Sequence, residues 1–94
     1  MEPIKTNFSK VILVCTADRD CDKTCCTSRG KPLEIYRKLK EYIVNNKLYF
    51  DIRLSKTGCL GICEGPVVAI YPDNIIYKNV TADDVDKIIE VHLA

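Results

Sequence analysis

The sequence predicts an α/β (α+β) fold, with four strands in one mixed sheet, two main helices against it and the order β-α-β-β-β-α. Three observations carry that expectation. Residues 11–14 form a β-branched apolar run, residues 32–45 repeat apolar side chains at helical spacing, and short apolar runs at 67–71 and 75–77 enclose Pro72-Asp73-Asn74. With 94 residues and 47% hydrophobic content the chain is expected to build one core, so residues 1–94 are read as a single domain.

Residues 1–9 carry Pro3, Thr6, Asn7 and Ser9 with few apolar neighbours and read as a loosely held arm. Val11-Ile12-Leu13-Val14 follows as a strand buried on both faces, with Cys15 at its carboxyl end. Residues 16–30 are polar and show no sustained period. Loops longer than about 12 residues in small domains usually have a task, and this one presents Cys21, Cys25 and Cys26.

Pro32 presets the first helical turn and Glu34 places negative charge near the helix N-terminus. Leu33, Tyr36, Leu39 and Ile43 recur at helical spacing, which predicts an amphipathic helix over 32–45. Asn45-Asn46 is the expected end, because asparagine tolerates the left-handed conformation. Phe50, Ile52 and Leu54 then alternate with Asp51, Arg53 and Ser55, the period of a strand with one wet face. Its end delivers a second cysteine loop. The runs at 67–71 and 75–77 should pair as a hairpin. Thr81 with Asp84 resembles a capping box, and Val85, Ile88, Ile89 and Leu93 mark the apolar face of a closing helix.

Lys plus Arg is 14 and Asp plus Glu is 13, a net charge of +1 with no long run of either sign, which argues against nucleic-acid binding. The longest apolar stretch, 66–71, is far too short to span a membrane, and residues 1–10 carry no apolar leader core. The chain is therefore read as cytoplasmic. Six cysteines in that setting point to metal or redox chemistry rather than to disulfides.

The strongest local signal is residues 57–66, Thr-Gly-Cys-Leu-Gly-Ile-Cys-Glu-Gly-Pro, where Cys59 and Cys63 lie in a loop with Gly58, Gly61 and Gly65. Glycines let backbone approach a bulky ligand closely. Cys15, one of Cys21, Cys25 and Cys26, and the Cys59–Cys63 pair lie on two loops that leave the carboxyl ends of strands expected to be neighbours. Four thiolates so placed suit zinc or iron. Four buried, inert cysteines are a poor alternative in such polar, glycine-rich surroundings.

The run Cys15-Thr16, Cys26-Thr27-Ser28-Arg29-Gly30, Gly58-Cys59-Leu60-Gly61-Ile62-Cys63, Gly65-Pro66-Val67-Val68, Tyr71-Pro72-Asp73 and Asp83-Asp84-Val85 to His92-Leu93 resembles the thioredoxin-like [2Fe-2S] ferredoxins. The likeness covers nearly all of residues 10–94. It implies a thioredoxin-like sheet and a one-electron carrier without substrate chemistry of its own. It also implies one [2Fe-2S] cluster per chain, a redox partner protein such as a reductase, hydrogenase or other oxidoreductase, and, as often in the family, a homodimer. Neither nucleic acid nor membrane is among the expected partners. Carried over by position, Cys15 matches the first ligand, Cys59 the third and Cys63 the fourth. Cys26 matches the second, because that ligand is typically followed by three residues and a glycine, here Gly30. The loop departs from the family pattern by adding Cys21 and Cys25, which are bystander thiols or substitutes for Cys26.

Competing readings are a structural zinc module of four cysteines, although zinc usually sits on tighter C-x-x-C knuckles, and a redox or iron-sulfur sensor on the same fold, with Cys21 and Cys25 reacting with oxidant. A dithiol oxidoreductase would want a C-x-x-C pair, and no two cysteines here have that spacing. His92, in the last turn of the closing helix, is favoured there by the helix dipole and is not read as a ligand. Arg29, Lys31, Arg53 and Lys56 give the cysteine end a mildly basic rim whose default is solvated charge.

Overall fold

The computed structural model describes residues 1–16, 30–58, 60–61 and 65–93. Within them the order is β1 (Lys10–Cys15), α1 (Pro32–Asn45), β2 (Ile52–Thr57), β3 (Val68–Tyr71), β4 (Ile75–Tyr77), a 3-10 turn (Ala82–Asp84) and α2 (Val85–His92). The strands form one sheet in the order β2-β1-β3-β4. β1 and β2 are parallel, whereas β1 with β3 and β3 with β4 are antiparallel. This is the mixed four-stranded sheet and the element order that the sequence predicts. A parallel neighbour requires a crossover connection, and α1 is the helix in that connection.

Ile12 and Val14 of β1 and Val68 and Ile70 of the antiparallel strand β3 share one sheet face, and all four are inaccessible to solvent. They pack in one core with Ile35, Leu39 and Ile43 of α1 and Val85 and Ile88 of α2. Burying aliphatic side chains from every layer in one cluster is the main stabilising term, roughly 1.5–3 kcal/mol for each fully buried one. Both helices therefore sit on the same face. Val11 and Leu13, on the other, are only half-buried, which corrects the expectation of a strand buried equally on both sides.

Three further details depart from the sequence reading. Leu33 is 53% exposed, and the buried stripe of α1 is Pro32, Ile35, Leu39 and Ile43, with Tyr36 half-buried at its border. The spacing i, i+3, i+4 admits two stripes here, and packing chose the one through Ile35. Phe50 lies outside β2 at 78% exposure, because the amides of Asp51 and Ile52 both donate to the carbonyl of Leu48 and hold residues 48–51 in a turn. The helix end is closed one residue later than expected. Lys47, not asparagine, takes the left-handed conformation at φ 56°, its amide donates to Val44 and the amide of Leu48 donates to Ile43, the paired bonds of a Schellman motif. Asn46 contributes instead through its side-chain amide, which donates to the Tyr42 carbonyl at 2.9 Å.

Residues 1–8 carry no regular structure and are exposed, and Ser9 is tied to the Asp51 carbonyl by its amide and hydroxyl. At the other terminus, the Asp84 carboxylate accepts from both the amide and the hydroxyl of Thr81, which closes the start of the last helical segment as the capping pair predicts.

One end of the sheet is held by polar contacts. Lys10 donates to Asp73 at 2.6 Å, the same carboxylate oxygen lies 3.1 Å from His92 Nδ1, and His92 Nε2 lies 2.8 Å from the Tyr77 hydroxyl. The carboxylate places the imidazole proton on Nδ1, so in the neutral ring Nε2 accepts from Tyr77. The His92 side chain is only 4% exposed. Asp73 is thus held below the ordinary carboxylate value of 3.8, first by the Lys10 hydrogen bond and then, against some desolvation, by the His92 hydrogen bond and both positive charges.

Leu39→Ala, a deletion in the solvent-free centre of the core, is expected to lower stability by about 2–5 kcal/mol in chemical denaturation. The second expectation concerns acid. Because the folded state depresses the Asp73 pKa, the unfolded chain binds more protons, so this contribution is complete above pH 3.8 and is lost as pH falls below it. Denaturation series at falling pH should show Asp73→Asn losing less stability than the parent in that window; an equal loss would separate the network from acid stability.

Candidate metal centre

Cys15 is the last residue of β1, opposite Thr57 at the end of the parallel strand β2. Two loops therefore start side by side, residues 16–30 after β1 and residues 58–66 after β2. Their far ends return to the same place. The amide of Cys15 donates to the carbonyl of Val67 at 3.0 Å, just past the second loop, and the amide of Thr16 donates to Thr57 at 2.9 Å, just before it. The Thr16 hydroxyl reaches the same Thr57 carbonyl at 3.3 Å. Cys15 is thus flanked by both ends of the glycine loop.

The exit of the first loop is seated there too. A Cβ placed on Gly30 would overlap the Pro66 ring, so only a glycine allows these two segments to lie this close. Pro66 itself is fixed from behind, because its carbonyl accepts from the Val80 amide at 3.0 Å. Gly65 has φ 72°, and a Cβ there would meet the Asn79 side chain and backbone. Gly61, at φ 87°, has open space around it. Both positive φ values support the reading that this loop needs glycine for its path.

Cys15 is 1% exposed and carries a free thiol. Its apolar neighbours are Val67, fully buried, and Leu60, half-buried. Of the predicted ligands, Cys15 alone is among the described residues. Cys26, Cys59 and Cys63 lie outside them, as do Cys21 and Cys25. Among the described residues no three His, Cys, Asp or Glu side chains gather around a common point. The donor chemistry nonetheless fits an iron-sulfur centre: a buried thiol stands at the strand end where two loops that bear the other five cysteines begin.

The sequence reading missed Asn79 and Val80, and it placed Thr57 in the glycine stretch without its contact to Thr16; all three clamp the loop ends. Asn79 does carry one signal, since asparagine is enriched at positive φ and this one sits at 53°. His92 lies at the opposite end of the sheet, in the Asp73–Tyr77 network already described.

No family model matches the chain. It is 40% identical over 85 residues to a 2Fe-2S ferredoxin of Clostridium pasteurianum, which spans 87% of this chain and 82% of that protein. A 2Fe-2S ferredoxin of Aquifex aeolicus is 36% identical over 88 residues, 89% of this chain and 78% of the relative. Among solved structures, the wild-type thioredoxin-like [2Fe-2S] ferredoxin from Aquifex aeolicus superposes with a TM-score of 0.80 at 36% identity, covering 94% of this chain and 87% of that one.

Gly65→Ala should cost about 1–3 kcal/mol, since it combines an unfavourable φ with a collision at Asn79. Gly61→Ala carries only the φ penalty, roughly 1 kcal/mol. Thermal denaturation of the two variants side by side tests whether the Asn79 contact, rather than φ alone, makes Gly65 necessary.

Proposed function

This chain belongs to the thioredoxin-like [2Fe-2S] ferredoxin family, and from that premise we propose a one-electron carrier whose single cluster is held by Cys15, Cys26, Cys59 and Cys63. The observation that carries the ligand assignment is the position of Cys15, buried where the ends of both cysteine-bearing loops meet. Cys26 is the second ligand because its spacing to Gly30 keeps the family register, and Gly30 is seated against Pro66 at the exit of the other loop.

The cluster, when bound, supplies reversible one-electron chemistry. The protein's part is to hold, shield and present it. Four cysteine sulfurs would be the protein's ligands to such a cluster and would leave no position open for a substrate, which makes the chain a carrier rather than an enzyme. Cys15, Val67 and Leu60 exclude water from the inner side of the site. The glycine path at Gly61 and Gly65 keeps bulky side chains off the loop.

Residues 1–94 act as a single domain in the cytoplasm, where cysteines remain reduced and able to bind metal. The partners are redox proteins, a reductase, a hydrogenase or another oxidoreductase, with neither nucleic acid nor a membrane required. Among the described residues no helix is long and apolar enough to cross a membrane. The family resemblance supports a homodimer.

Anaerobically purified protein is expected to contain about two irons and two acid-labile sulfides per chain and to absorb broadly across the near-ultraviolet and visible. Replacing Cys15, Cys26, Cys59 or Cys63 singly by Ser should shift or abolish those bands, whereas Cys21→Ser and Cys25→Ser should leave them in place. A colourless protein with stoichiometric zinc would establish the structural zinc module instead; loss of the bands in Cys25→Ser but not Cys26→Ser would move the second ligand.

A further inference from the structure

The charges of α1 differ between its two sides. On the side turned towards α2 they are mixed: Lys38 and Glu41 line one depression with Asp86, and Lys31 and Glu34 line another beside Thr81 and Ala82. On the side turned towards the edge strand β2, the charged residues among those described that line the surface depressions are cations. Arg37, Lys40 and Lys56 line a depression of about 380 Å³ with Tyr36 and Leu33, and Arg53 lines the adjoining one. The Lys56 ammonium lies 5.2 Å from the centre of the Tyr36 ring and that of Lys40 lies 5.9 Å from it.

These four cations are exposed, and none forms an ion pair with a carboxylate of the described residues. Bringing like charges together is unfavourable. The Tyr36 ring offsets part of that, and no counter-charge comes from the described residues. A net charge of only +1 makes the concentration on one face a local property.

The patch also adjoins the proposed cluster. Lys56 precedes Thr57, whose carbonyl is held by Thr16 and whose Cα partner across the sheet is Cys15. Tyr49 and Phe50 stand exposed at the other end of the same edge. Arginine and aromatic side chains beside exposed aliphatic ones suit a protein surface. A compact patch of four cations lacks the extended stripe that a polyanionic backbone needs.

We propose that the α1–β2 edge, with Arg37, Lys40, Arg53 and Lys56 around Tyr36, is the docking surface for an acidic redox partner protein. This rests on the electron-carrier reading. Opposite charges steer the encounter and orient it, and the cysteine loop that follows Thr57 then lies at the contact.

The test uses the reduced, cluster-loaded protein in stopped flow with two protein acceptors, plastocyanin, which carries an acidic patch, and cytochrome c, which is basic. One electron passes from the protein to Cu(II), giving Cu(I), or to the ferric haem, giving the ferrous haem. With plastocyanin the rate constant is expected to fall at least about tenfold between low salt and about 1 M salt, where the screening length is about 3 Å. Lys40→Glu/Lys56→Glu should slow plastocyanin about tenfold or more at low salt, leave the high-salt rate unchanged and speed cytochrome c. The single exposed change Lys56→Gln should slow it by about threefold. Lys5→Glu/Lys87→Glu alters net charge equally at sites away from the patch, and it should change the rate by less than about twofold.

Equal slowing by both double variants would overturn the proposal in favour of net charge alone, and no slowing by either patch variant would also overturn it. Slowing of plastocyanin by inorganic phosphate beyond that by chloride at equal ionic strength would make the depression a small-anion site instead. Each variant's visible absorption is recorded first. Absence of cluster bands from the parent protein sinks the electron-carrier reading; bands retained with the rates above failing sink only the docking surface.

Discussion

The parallel pairing of β1 with β2 is the constraint on which the rest of the structure depends. In a parallel pair both carboxyl ends lie on the same side, so the loops after Cys15 and Thr57 must emerge together. α1 is required to make that pairing, and the apolar stripe of Pro32, Ile35, Leu39 and Ile43 is what holds α1 on the sheet. Antiparallel β3 then brings the chain back along β1 from the same end. Hence the residue just before β3, Val67, accepts the amide bond from Cys15. The gathering of cysteine loops is a consequence of strand direction rather than of any affinity between the loops.

The two ends of the sheet are closed by different physics. At the start of β1, Lys10, Asp73, His92 and Tyr77 tie the hairpin and the last helix to the first strand through charge and hydrogen bonds. At its end, the contacts are backbone bonds and close glycine approaches, with Cys15, Val67 and Leu60 as the apolar floor. Five steps along the extended strand lead from Lys10 to Cys15, roughly 17 Å at about 3.3 Å per residue. The electrostatic network therefore lies at the end of the sheet remote from Cys15.

Most of the fold was legible because its signals are local. Pro32 and the apolar spacing marked α1 to the residue, and Thr81 with Asp84 marked the start of the last helical segment. Leu33 and Phe50 misled for the same reason: each fits an apolar period, yet the neighbouring register, through Ile35, or a turn on the Leu48 carbonyl decides which side chain is buried. For the site, Cys15 at a strand end was legible from the β-branched run before it. The seating of Gly30 on Pro66 and of Gly65 on Asn79 was not, because each pairs residues far apart in sequence and neither residue type names its partner. Lys47 at positive φ was equally hidden, since lysine carries no mark of a left-handed position.

An electron carrier has to reconcile shielding with approach, and the sheet order shows how both are met. β1 is interior, flanked by β2 and β3, and Cys15 at its end is inaccessible to solvent. The strand beside it, β2, is an edge. Shielding therefore comes from the central strand and Val67, while access lies one strand away, where Lys56 and the start of the glycine loop face outwards. Had the cysteine pair followed antiparallel β3 instead, its loop would have left from the opposite end of the sheet, away from Cys15. With the second loop on an edge strand, Cys15 stays buried and the proposed cluster would keep one side within a partner's reach.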